Sequence, residues 1–115
     1  NSGFSKVGTL AHQAGGGTLF QGACLRDAGK PDVFTFTFLG AGLEGTTYTL
    51  EVEDNGVQGL NGTIDFNGTT VVTHPMLGGN APVDLLIPVT IATDNSIVCK
   101  LEGKPGSGVS IFVNP

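Results

Sequence analysis

The segment Val33-Phe34-Thr35-Phe36-Thr37-Phe38 alternates strictly between phenylalanine and threonine after its first residue. Successive side chains of an extended strand point to opposite faces, so the three aromatic rings share one face and the two hydroxyls share the other. Three rings on one face need a core to cover them, whereas threonine hydroxyls suit solvent. The segment therefore predicts a β-strand buried on one side, as is typical of antiparallel sheets.

The same two-residue period returns between Thr46 and Glu53. Tyr48, Leu50 and Val52 fall on one face, and threonine and glutamate alternate with them on the other. A short glycine-rich connection, residues 40–45, separates this segment from the first one. The spacing predicts a second half-buried strand that follows the first through a hairpin or corner.

Seven further segments show strand-like composition between turn residues, whereas no stretch has the period of an amphipathic helix. The predicted strands are Phe4–Leu10, Thr18–Leu25, Thr63–Phe66, Thr69–Thr73, Val83–Ala92, Ser96–Glu102 and Val109–Val113. Pro88 interrupts one of them, which predicts an edge strand or a bulge because proline cannot donate to a ladder. We expect one all-β domain over residues 1–115: an antiparallel β-sandwich, Ig-like or jelly-roll-like, with eight to nine short strands and almost no helix.

Asparagine precedes glycine three times at six-residue intervals, at Asn55-Gly56, Asn61-Gly62 and Asn67-Gly68. This pair favours type I′ turns, so the spacing predicts a tight meander with short strands at 57–60 and 63–66. A short solenoid is the alternative, because a fixed period marks repeat folds. The second and third copies are followed by threonine and match the N-glycosylation pattern, although turn asparagines next to threonine also arise by chance.

The two cysteines, Cys24 and Cys99, each lie in an apolar run. Their placement predicts a disulfide between an early and a late strand, and two buried free thiols are the alternative. A disulfide requires an oxidising compartment, so we expect a secreted or surface-exposed protein.

Composition excludes several function classes. Five lysines and arginines against ten carboxylates leave a formal net charge of −5, which provides no basic stripe for nucleic acid. No apolar run of about 18 residues is present, so no membrane insertion is predicted. We find no catalytic motif and no spacing of a known metal or cofactor site. The chain is therefore expected to be non-enzymatic, without a cofactor.

Polar residues in the predicted turns are the best candidates for a ligand or calcium loop, since carboxylates and turn oxygens can coordinate calcium. They are Asp54, Asn55, Asp65, Asn67 and His74. A solvated surface is the alternative, and the spacing matches no EF-hand. Such a loop would suit a glycan, which makes a carbohydrate-binding module or lectin the second functional hypothesis.

The strand-like segment 1–10 is followed by the hinge Gly15-Gly16-Gly17. A tethered strand can add to the sheet edge of a neighbouring molecule instead of its own, and Phe4, Val7 and Leu10 are its candidate contact residues. The favoured hypothesis is thus a secreted or surface structural or adhesive subunit, part of a fibre, pilus-like filament, capsid or appendage. Its expected partners are copies of itself or other surface subunits.

Overall fold

Eight β-strands form most of residues 17–77 and 83–115, the part of the chain that the computed structural model describes. A single helical turn, α1 (His74–Leu77), accompanies them there, and no described helix is long and apolar enough to cross a membrane. The strands are β1 (Phe20–Leu25), β2 (Asp32–Leu39), β3 (Thr47–Asp54), β4 (Leu60–Phe66), β5 (Thr69–Val72), β6 (Asp84–Thr90), β7 (Asp94–Gly103) and β8 (Gly108–Asn114).

The strands form two four-stranded antiparallel sheets. The first has the order β1-β8-β3-β6 and the second the order β2-β7-β4-β5. Strands pair from the two ends of the described chain inwards: β1 with β8, β2 with β7, β3 with β6 and β4 with β5. Each pair therefore encloses the next one in sequence. A long hairpin of four strand pairs that rolls up into two sheets has this connectivity, which is the jelly-roll path. The strand order therefore confirms the β-sandwich and selects its jelly-roll form over the Ig-like form.

Alternating residues of both sheets meet in one core. The faces predicted from the two-residue period are confirmed: Tyr48, Leu50 and Val52 are buried in β3, and Phe36 and Phe38 are buried in β2. Phe20 of β1 contacts the rings of Phe36 and Phe38 in β2, with centroid distances of 5.3 and 5.4 Å. Rings at this spacing attract each other through their edges and faces, so they join the two sheets along the side where β1 lies over β2.

Apart from the short strand predicted at 57–60, the predicted strands within the described residues are all present, with ends that shift by a few positions. The predicted segment Phe4–Leu10 lies outside the described residues. The prediction for Pro88 is confirmed, because β6 is an edge strand of its sheet.

The predicted meander is wrong. Asn61-Gly62 lies inside β4 rather than in a turn, because Gly62 packs against the backbone of β7. A Cβ atom at Gly62 would lie 2.2 Å from the Lys100 carbonyl oxygen, so glycine is needed here for close approach and not for a turn. Asn67-Gly68 does form a tight hairpin between β4 and β5, with φ values of 50° and 84°. The three copies occupy three different settings, so they are not a solenoid repeat.

Candidate functional site

The most distinctive surface of the sandwich is the side where β1 and β2 end their sheets, here called the β1/β2 side. Both are edge strands among the described residues, where β1 pairs with β8 alone and β2 with β7 alone. Edge strands present unpaired backbone N–H and C=O groups to another chain unless charges, prolines or short length prevent it. The groups that point outward therefore decide whether each edge can pair.

Hydrogen bonds at the end of β1 identify its outward groups. The Arg26 N–H donates to the Ser107 carbonyl at 2.7 Å, and the Gly106 N–H donates to the Arg26 carbonyl at 2.9 Å. Residues of an antiparallel strand alternate between those bonded to the partner and those that point away. The register with β8 therefore directs the backbone groups of alternate residues to the open side: Gln21, Ala23 and Leu25.

The same reasoning applies to β2. The Gly40 N–H donates to the Thr93 carbonyl at 2.9 Å, so the residues in phase with Gly40 are bonded to β7. The alternate residues point outward: Val33, Thr35, Thr37 and Leu39. Leu25, Val33 and Leu39 are 60%, 59% and 49% exposed, so large apolar side chains accompany both open edges.

The opposite side of the sandwich is protected against such pairing. The outward residues of β6 include Asp84 and Pro88, a charge and a residue without an N–H group. The other edge, β5, has only four residues and runs into α1. Charges, prolines and short strands are the usual protections of sheet edges. By contrast, Phe20–Leu25 contains no charge and no proline.

A buried arginine holds β1 and β2 in place at one end of this side. The Arg26 guanidinium donates to the Asp32 carboxylate at 2.9 Å and to the carbonyls of Lys30, Gly29 and Gly103. The Asp27 N–H also donates to the Asp32 carboxylate at 2.7 Å. This backbone hydrogen bond, followed by the contact with Arg26, lowers the pKa of Asp32. Arg26 could not be identified from the sequence, because its role depends on the loop that folds around it.

The two cysteines face each other across the core near the same side. Cys24 projects from β1 and Cys99 from β7, and both are buried free thiols. They are near one another but not at disulfide distance. Burial raises the pKa of the Cys24 thiol, and contact with Cys99 acts in the same direction. The structure thus brings the predicted pair together, while the bond between them stays a prediction.

The predicted ligand-loop residues do not form one cluster. Asn55 donates from its side chain to the Gly106 carbonyl, near the end of β7, whereas Asn67 donates to the Asn95 side chain at the start of β7. Asp54 and Asn55 therefore lie at one end of the sandwich and Asn67 at the other. His74 contacts the side chain of Asn61, which pairs with Glu102 towards the end of β7.

Most of these polar groups are used to hold turns. The Asp54 carboxylate accepts from the N–H groups of Gly56 and Val83, and the Asp65 carboxylate accepts from the Thr70 hydroxyl. The Asn67 side-chain oxygen accepts from the Ser96 N–H at 2.7 Å. Glycosylation at Asn67 would compete with these bonds.

Three carboxylates meet on the outer face of the first sheet instead. Glu51, Glu53 and Asp84 have oxygens within 4.8 Å of one another, on neighbouring strands β3 and β6. A side-chain hydrogen bond with Asp84 raises the pKa of Glu51, and desolvation and the neighbouring negative charges add to the effect. The outward position of both glutamates was predicted from the sequence, but their partner Asp84 was not, because local sequence does not show that β3 pairs with β6.

Tyr48, which could have stacked on a sugar ring, is buried in the core. Comparison with protein-family models, with curated proteins and with solved structures found no match for this chain. The features of the described residues that bear on function are the β1/β2 side, the cysteine pair and the carboxylate cluster.

Proposed function

We propose that the protein is a non-enzymatic structural or adhesive subunit that assembles with copies of itself through β-strand contacts. One observation carries the proposal: the two sides of the sandwich differ in edge protection. The β6 edge carries a proline and a charge, although Leu86 on it is also exposed, and β5 has only four residues. By contrast, the outward residues of β1 and β2 include no charge and no proline. Unprotected edges of this kind template association.

The polar side chains also favour a structural role over a catalytic one. The side chains of Asp54 and Asn55 form hydrogen bonds with backbone groups of turns, and the Asn67 side chain bonds to the Ser96 N–H of β7 and to the Asn95 side chain. A catalytic or glycan-binding loop would instead direct such groups toward a ligand. Threonine and glycine, frequent in this chain, suit flat strands and tight turns.

The proposal includes a Cys24–Cys99 disulfide and a secreted or surface location. Two cysteines about 75 positions apart in sequence face each other from opposite sheets, which supports the pairing. A bond between them would tie the edge strand β1 to the other sheet. Oxidising compartments are where such bonds form and persist.

The donor strand in the proposed assembly is the segment 1–10, with Phe4, Val7 and Leu10 as contact residues. This segment lies outside the described residues. The described strands run from Phe20 to Asn114, so the segment precedes all of them in the chain. Exchange of a terminal element is a low-cost route to oligomers and fibres.

Size-exclusion chromatography with light scattering, together with negative-stain microscopy, tests this function on the full chain. We expect oligomers or filaments that grow with protein concentration and disappear when residues 1–8 are removed. A full chain that stays monomeric over the accessible concentrations would contradict the proposal, and a glycan array would then test the carbohydrate-binding alternative.

A further inference from the structure

We infer that the open edge of β1 is the acceptor site, and that residues 1–10 of a second copy of this chain fill it. This inference rests on the proposed function and deepens it, since it assigns one edge and one occupant. The candidate acceptors within the described residues are the four edge strands β1, β2, β5 and β6.

The chemistry of the edges favours β1. β6 has lost an outward N–H group at Pro88, and β5 offers only four residues. β2 begins at Asp32, whose carboxylate is held at that end by Arg26. β1 has neither charge nor proline over six residues, so a neighbouring strand meets no desolvated charge and no missing donor along it.

The outward groups of β1 define what the incoming strand must match. Gln21, Ala23 and Leu25 each direct one N–H and one C=O to the open side, so an extended segment of five or more residues can satisfy them all. Their side chains lie on the outer face of the sheet, where Leu25 would gain an apolar neighbour. Such β-strand addition takes its affinity from backbone hydrogen bonds and its selectivity from alternate side chains.

The distribution of charge along the chain favours the segment 1–10 of a second copy, rather than the β1 edge of a second copy, as the strand that pairs with β1. Residues 1–16 contain Lys6 and no carboxylate, whereas residues 17–115 contain four lysines and arginines against ten carboxylates. The first part carries a formal charge of +1 and the second −6. Two folded bodies therefore repel each other, while the body of one copy attracts the N-terminal segment of another.

The connection is long enough for reciprocal exchange. Thr18 and Leu19 hold the chain against β8, since Leu19 donates to the Val113 carbonyl and Thr18 to the Asn114 side chain. Seven residues, 11–17, separate this point from the proposed donor strand. An extended connection of that length spans roughly 24 Å, whereas adjacent strands lie about 4.8 Å apart. Two copies with facing β1 edges can thus each reach the other.

Proline substitutions test the acceptor edge in the full chain. Ala23→Pro removes an outward N–H group and no hydrogen bond to β8, so we expect association to fall at least tenfold with the monomer fold retained. Thr35→Pro on β2 and Leu86→Pro on β6 remove equivalent outward groups at the other edges and should leave association unchanged. Lys6→Glu should weaken association, and more so at low salt.

Hydrogen exchange gives a second measurement that does not depend on a proline variant folding. In the assembled wild type, the amides of Gln21, Ala23 and Leu25 should exchange slowly, and the outward amides of β2 should not. Their protection should be lost upon dilution to monomer and upon removal of residues 1–8. Protection that persists in the monomer would mean that the segment covers its own edge, which overturns the inference.

The outcomes separate this inference from the proposed function. Association that survives Ala23→Pro and is lost in Thr35→Pro would assign the acceptor to β2 and overturn the inference while the function stands. Association that survives removal of residues 1–8 would overturn the assigned occupant. A wild-type chain that never associates would contradict both.

Discussion

Oxidation of the cysteine pair is the perturbation with the largest expected effect on stability. A bond between Cys24 and Cys99 closes a loop of about 75 residues. In the chain-entropy model, that constraint on the unfolded chain stabilises the fold by about 4.5 kcal/mol at 25 °C. The sulfur atoms must move closer to bond, so this value is an upper bound.

The assay compares thermal unfolding of one preparation refolded with oxidised glutathione and another kept in reductant. At about 4 °C per kcal/mol for a domain of this size, the oxidised form should melt up to about 18 °C higher. Mass spectrometry after alkylation assigns the two states. Cys24→Ala provides the control, since its melting temperature should not respond to the oxidant.

The pH dependence of the reduced form gives an independent check. Burial raises the folded-state pKa of Cys24 above its unfolded value of about 8.5. The unfolded chain therefore loses its proton first, so stability is intact below about pH 8.5 and falls above it, by about 1.4 kcal/mol per pH unit. The oxidised form should lack this loss. Equal melting temperatures for the two redox states, with a disulfide confirmed by mass, would refute the reasoning.

Three substitutions test other contacts, each by urea unfolding. Arg26→Met removes the buried guanidinium that bonds to Asp32 and to three carbonyls, and it should lower the free energy of unfolding by about 3 kcal/mol. An effect as small as that of the exposed control Lys30→Met would contradict the role of Arg26. Gly62→Ala places a Cβ atom against the backbone of β7 and should lower the free energy of unfolding by about 2 kcal/mol or more. An unchanged free energy of unfolding would mean that the sheet adjusts freely. The pKa of Glu51 is raised in the folded protein, so its carboxyl group stabilises the fold below its usual pKa and this stabilisation is lost as the pH rises. The Glu51→Gln variant should therefore lose less stability than the wild type between pH 4 and pH 7. Parallel pH profiles for the two proteins would contradict the role given to the carboxylate cluster.

The strands could be predicted because their signal is local. The alternation of Phe34, Phe36 and Phe38 with threonine predicts an extended strand without any knowledge of the neighbouring strands. The edge position of β6 was predicted for the same reason, since Pro88 lacks a donor in any context. The choice between Ig-like and jelly-roll order could not be predicted, because it depends on which distant strands pair.

The Asn-Gly prediction failed where tertiary packing outweighed local preference. The turn propensity of Asn61-Gly62 is the same as that of Asn67-Gly68, yet only the second pair forms a hairpin. At Gly62 the absence of a side chain allows the backbone of β7 to approach. The sequence of the pair alone contains no sign of that neighbour.

The candidate site was only partly accessible from sequence. The proximity of Cys24 and Cys99 followed from their positions in early and late apolar runs, which the nested jelly-roll pairing brings to facing sheets. The open β1 edge could not be identified, since its outward residues Gln21, Ala23 and Leu25 carry no motif. What marks them is the lack of a charge or proline, and that matters only once β1 is known to end its sheet.

Analytical ultracentrifugation of the full chain beside its Ala23→Pro variant, over a hundredfold range of concentration, tests the central claim most directly. We predict that the wild type shifts from monomer to larger species as concentration rises, while the folded variant sediments as a monomer throughout. A wild type that sediments as a monomer at every concentration would contradict the claim that this protein assembles through its open β-strand edges.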